Sequence, residues 1–148
     1  MRRCMTTYDE RGSALVELTW LGILLLIPMV WIVLSVFEVQ RGAFAVSGAA
    51  RAAGRAYALA PSDDEGLARA QAAARQVLAD QGADEQPLGL AVSCAPAGDC
   101  HVPGAVITVD LRSSVDLPLL PDVFGGGAPS FALNASHTVP VGQFRDTG

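Results

Sequence analysis

Hydrophobic positions along the chain fall into blocks with different periods. From Leu18 to Phe37 twenty successive residues carry no charge. As a helix rising about 1.5 Å per residue they span about 30 Å, the thickness of a bilayer hydrocarbon core. Beyond that run, Val39, Ala43, Val46, Ala50, Ala53 and Tyr57 recur at alternating steps of four and three, the spacing of a helix-packing seam. Met29, Ile32 and Val36 extend the seam back into the apolar run. At about 100° per residue Glu38, Arg41, Arg51 and Arg55 fall on the opposite arc, which predicts a stem with one apolar and one charged face. Small residues along the stripe allow close backbone approach, as at membrane helix interfaces. The stripe fits two uses: packing on the stems of neighbouring molecules, or packing on the head of its own chain. Pro28 removes one helical hydrogen bond and predicts a kink or a local loosening.

Pro61 to Glu65 ends the stem and opens a second helix, with Ser62 and Glu65 at capping-box spacing. Leu67, Ala70, Ala74, Val77 and Leu78 give that helix an apolar face, and Gly82 is placed to stop it. A polar connection from Ala83 to Leu88 follows, and then the period shortens to two. Leu88 to Ser93 reads as a first strand. Ile107, Val109, Leu111, Val115 and Leu117 alternate with Thr108, Asp110, Arg112, Ser114 and Asp116 in a second. After the Gly125-Gly126-Gly127 loop, Phe131, Leu133, Ala135, His137, Val139 and Val141 alternate with Ala132, Asn134, Ser136 and Thr138 in a third. The predicted class is α+β: a long N-terminal transmembrane helix continuing into a stem, a second helix, and a small antiparallel sheet of about three strands. Residues 13–60 would form helix and stem, and 61–148 an extracytoplasmic head. Aromatic residues make up 6% of the chain, so the head's core is thin and leans on the stem and on any covalent staple.

Ahead of the apolar run stands Arg11-Gly12-Ser13-Ala14-Leu15-Val16-Glu17. A carboxylate at a membrane helix centre costs about 2.5–3.5 kcal/mol on insertion scales, so Glu17 at the edge of the run asks for a reason; snorkelling to the headgroups is one. A short polar leader ending in Gly12, then Ser13 to Val16, then Glu17 and an apolar stretch, resembles the class III leader of type IV pilins and pseudopilins. The short basic leader, the segment Gln40 to Ala45, and the run Ala49 to Ala56 are similar to the TadE-like family of pilus-assembly pseudopilins. Over residues 8–60 the match is good; beyond them it is one of layout. Leu18 stands where many members carry an aromatic, and a proline comes only at Pro28. The resemblance implies that residues 1–12 are a cytoplasmic leader and that a prepilin peptidase cuts behind Gly12, making Ser13 the first residue. It also implies that Glu17, then fifth, neutralises the new amino terminus of a neighbouring subunit. The partners implied are the membrane, a major pilin, other minor pilins and a pilus assembly platform.

Charge leaves the topology open, because Arg2, Arg3 and Arg11 before the helix are balanced by Arg41, Arg51 and Arg55 after it. Cysteine decides for an external carboxyl side. Cys94 and Cys100 bracket a short turn that a disulfide closes, and disulfides persist in oxidising compartments. The alternative is two free thiols acting as small hydrophobes. The implied location is the bacterial cytoplasmic membrane, single-pass with the head outside, and then an extracellular pilus. Two other fates fit: an unprocessed single-span envelope binding protein, or a small secreted domain released at Ala43-Phe44-Ala45, which has the small-x-small form signal peptidase accepts.

Net charge is −5 with no Lys, and removing residues 1–12 leaves the chain acidic, so a nucleic-acid partner is disfavoured. His101 and His137 are far apart, and Cys94, Cys100 and His101 lack the paired spacing of a zinc site. His137, on an apolar strand face, reads as a packed side chain. Gly125 to Gly127 has no following Lys-Ser/Thr, which argues against phosphate binding. Asn134-Ala135-Ser136 matches a glycosylation sequon, a match common by chance. Nothing pairs a nucleophile with a base, so neither an enzyme nor a cofactor is expected.

Overall fold

The computed structural model describes residues 11–117 and 130–142. The leader to residue 10, the glycine loop at 125–127 and the side chains of Arg11 and Ser13 therefore lie outside the described parts. Helix α1 (Arg11–Ala58) is followed by helix α2 (Asp63–Asp80) and strands β1 (Gly89–Ala95), β2 (Val106–Asp116) and β3 (Ser130–Pro140). The strands pair antiparallel in the order β1-β2-β3. This is the α+β arrangement read from the hydrophobic periods.

Register follows from burial. Leu90 faces Leu111, and Val92 faces Val109 across β1 and β2; Val109 in turn faces His137, and Ile107 faces Val139 across β2 and β3. Ile107, Val109, Leu111 and Val115 are buried, whereas the alternate β2 residues are exposed or half-buried. A one-residue slip would turn the buried set outward, so a single register wins.

α1 is the central element of the folded part: its carboxyl half packs on α2 along one side and on β2 and β3 along another. Ala45, Val46, Ala49, Ala50, Ala53 and Tyr57 of α1 join Ala70, Ala74 and Leu78 of α2 and the inward residues of the sheet in one buried cluster. The stem thus packs on its own head, and the core crosses the 60/61 point at which the sequence divides stem from head. Ala43 departs from the seam and is exposed, while Gly42, Ala45 and Ala49 are buried. The cause is geometric. A four-three seam is a narrow stripe suited to one partner, but this helix meets two and buries a wider arc. Pro28 sits inside α1, which continues through it as one helix.

Two glycines fix the course of β3. A Cβ at Gly42 would lie 2.7 Å from Leu133 Cδ1, and one at Gly54 would lie 3.1 Å from Val139 Cγ2 and 3.2 Å from His137 Cδ2. From Gly42 to Gly54 the helix climbs about 18 Å, and from Leu133 to Val139 the strand climbs about 20 Å. β3 therefore runs alongside the stem in the same direction.

The ends of α2 are capped as its sequence predicts. Ser62 Oγ accepts from the Glu65 amide, and three acids lie in the first turn, where they complement the helix dipole. At the other end Gly82, at φ 67°, donates to Ala79 O and Ala83 donates to Leu78 O, a Schellman motif. Arg41, placed by its spacing on the outer charged arc, reaches back instead and donates from Nη2 to Gln81 O at 2.7 Å. A stem cation thereby caps the carbonyl end of α2.

Candidate functional site

Two regions concentrate polar chemistry. The first is the amino end of α1. Gly12 and Ser13 lie in its first turn, and Glu17 is exposed one turn later. Among the described residues Glu17 has no ion-pair or hydrogen-bond partner. Thr19 returns its hydroxyl to Leu15 O at 2.8 Å, the usual way a hydroxyl is satisfied inside an apolar helix. From Leu18 to Phe37 nearly every large apolar side chain stands exposed. Among the described residues α1 is the one helix long and apolar enough to cross a membrane, with a mean hydropathy of 2.5 in its best window. Such a surface is compatible with a membrane anchor, since water would not tolerate so much exposed hydrocarbon.

The second region joins three pieces of chain where the stem ends. Tyr57 is the last residue of the seam, Asp63 the first of α2, and His101 follows Cys100 directly. The Tyr57 hydroxyl donates to Asp63 Oδ1 at 3.0 Å, and His101 Nδ1 meets the same oxygen at 2.8 Å. His101 Nε2 meets the Tyr57 carbonyl at 3.0 Å, and the two rings stack with centroids 5.2 Å apart. Asp99 Oδ1 accepts from the His101 amide at 2.8 Å. The Tyr57 carbonyl is an acceptor only, and the tautomer of His101 decides which ring nitrogen donates. Gly66 lets α2 press on the tyrosine from another side: a Cβ there would stand 3.0–3.3 Å from Cδ2, Cε2 and Cγ of the ring. Burial pushes the Tyr57 phenol up to about 12, helped by the hydrogen bond to Asp63 and its charge, then by Asp99 and Asp64.

Cys94 and Cys100 are joined by a disulfide, with Cα atoms 5.4 Å apart. It closes the turn that presents Asp99 and His101. Asp63, Asp99 and His101 bring one ligand atom each within 4.8 Å of one another. Both imidazole nitrogens lie within hydrogen-bond distance of protein oxygens, Nδ1 of Asp63 Oδ1 and Nε2 of the Tyr57 carbonyl. The cluster acts as a clamp tying stem, second helix and disulfide loop. His137 packs over Gly54 on the inner face of β3 and does not approach His101.

The structure thus brings Tyr57 and the Cys94–Cys100 loop together at the top of the stem, far along the chain from Gly12, Ser13 and Glu17. The remaining seam residues Val46, Ala50 and Ala53 are core, and Val39 is half-buried. The clamp itself was not foreseen from sequence. Asp63 reads as a helix-start acid and His101 as an isolated histidine, and no local signal links residues 38 apart. Comparison of the chain with family models, curated proteins and solved structures finds no match.

Proposed function

We propose that the chain is a non-catalytic pseudopilin or minor pilin, similar to the TadE-like family, that takes part in assembly of a type IV-related pilus. A prepilin peptidase cuts behind Gly12. The chain then stands in the bacterial cytoplasmic membrane with its head outside and joins a major pilin and other minor pilins on an assembly platform. The observation that carries this reading is the Gly12-to-Glu17 arrangement at the amino end of a helix whose apolar side chains stand exposed. The first turn of a helix frays most readily, so a peptidase can reach a scissile bond placed there. Glu17 has no partner among the described residues, which suits a carboxylate reserved for another subunit's amino terminus. Ala43 and Phe44 are exposed on the stem beyond the apolar run, Phe44 at 74%, and offer a surface for a neighbouring stem.

The deciding measurement is the amino-terminal residue of the protein purified from native membranes. A start at Ser13 is expected. An intact Met1 would make it a plain membrane anchor, and a start near Val46 a secreted domain. Glu17→Ala should insert in the membrane and fail to enter pili; equal recovery of mutant and wild type in sheared pili would remove the assembly role from Glu17.

A further inference from the structure

The end of the uncharged run and the end of the β2–β3 hairpin lie at one height along α1. Leu117 and Phe131 line an open hollow with Ser35, Val36, Val39 and Gln40, and the surface it exposes is apolar. The course of β3 gives the same height independently. Leu133 touches the Gly42 position, and Phe131, two residues earlier, stands about 7 Å lower, near helix residues 37–38. Phe131 is 50% exposed, and Val36 and Phe37 beside this level are exposed as well, Phe37 at 64%. The hollow is therefore continuous with the apolar surface of the membrane segment, and water is a poor occupant for it.

We propose that this end of the head, through Leu117 and Phe131, rests in the interfacial layer of the bilayer that α1 crosses, so that the sheet is seated on lipid. The proposal rests on the reading of α1 as membrane-spanning. Lipid is the occupant because the hollow adjoins side chains whose own surroundings are then acyl chains, at the depth where the hydrocarbon core gives way to headgroups. Acidic groups flank this end: Glu38 follows Phe37, Asp116 precedes Leu117, and Asp84 and Glu85 line an adjoining hollow with Asp116. Zwitterionic headgroups suit such a rim better than anionic ones, which its charge repels.

The test uses the full chain in phosphatidylcholine vesicles, with or without acyl chains brominated near the headgroup. Phe131→Trp is made in a background of Trp20→Phe and Trp31→Phe. The native Trp31, alone in a Trp20→Phe chain, reports the span, and Ser136→Trp in the tryptophan-free background reports the outer face higher on β3. Each variant must match the wild type in far-UV circular dichroism, and Leu117→Trp replaces Phe131→Trp if the latter misfolds. The expected result is bromine quenching of the Phe131→Trp reporter to the level of Trp31, with none for Ser136→Trp. A quenched Trp31 beside an unquenched Phe131→Trp reporter would overturn the lipid seat and leave the span standing. Blue-shifted but unquenched emission would give the hollow to protein instead, either residues 118–129 or a second copy. An unquenched Trp31 would overturn the span and the seat together.

Discussion

Gly66→Ala puts a methyl group against the Tyr57 ring, and its effect can be worked from the geometry. The new Cβ would lie 3.0 Å from Cδ2 and 3.1 Å from Cε2, against ordinary carbon contacts of about 3.5–4.0 Å. The ring cannot simply swing aside. It is buried, its hydroxyl is bonded to Asp63, and His101 stacks on it. Alanine in place of glycine inside a helix gains about 1 kcal/mol. Overpacking costs about 1–3 kcal/mol, and displacing the phenol from Asp63 adds about 0.5–1.5 kcal/mol. The net is a loss of about 0.5–3.5 kcal/mol. Gly48→Ala is the matched control. Its Cβ would stand 3.4 Å from Val77 Cγ1 and from the end of the flexible Gln81 side chain, close to ordinary contact distance, so most of the helix gain of up to about 1 kcal/mol should survive. Urea unfolding of the full chain in detergent micelles, read by pulse proteolysis, gives the two differences under one condition. Opposite signs are expected. A Gly66→Ala protein as stable as wild type, or equal shifts at both sites, would refute the account of the clamp as a tightly packed joint.

The raised Tyr57 pKa makes stability fall at alkaline pH. Tyr57 lies twenty residues past Phe37, well outside the membrane-spanning stretch, and its folded value of about 12 exceeds the ordinary phenol value of 10.0. Below pH 10 both states hold the proton and nothing changes. Between pH 10 and 12 the unfolded chain loses it first, so folding weakens by about 1–2 kcal/mol once water at the exposed Asp63 is allowed for. Tyr57→Phe should flatten that part of a stability-versus-pH curve, and an unchanged slope would contradict the assignment. Reducing the Cys94–Cys100 bond, which closes a loop of sequence separation 6, should lower unfolding free energy by about 2–2.5 kcal/mol on chain entropy. The urea midpoint of wild type should respond to reductant and that of a Cys94→Ser, Cys100→Ser chain should not; a wild-type midpoint indifferent to reductant would count against a stabilising role.

Elements governed by local physics were legible in the sequence. The strict alternation in β2 and β3 gave both strands and their inner faces, and the Ser62 cap and Gly82 stop bounded α2 to within a residue or two. The stem seam was legible in part: Val46, Ala50, Ala53 and Tyr57 are buried, but Ala43 is not, because a period reports one stripe and this helix serves two partners. Arg41 looked like a solvated charge, and only the antiparallel return of α2 brings the Gln81 carbonyl within its reach. The clamp was illegible for a similar reason. Its members are ordinary residues at a stem end, a helix start and a disulfide turn, and only tertiary packing makes them neighbours.

The parallel course of β3 and the stem has a mechanical consequence. A pull along the axis of α1 does not open the stem–sheet contact one pair at a time, as a peeling force would. It loads that contact in shear, from the Leu133–Gly42 contact to the Val139–Gly54 contact at once, while Arg41 and the Tyr57 joint brace α2 at either end. Tension applied along the helix therefore meets a packed seam about 18–20 Å long, and the head travels with the helix as one lug.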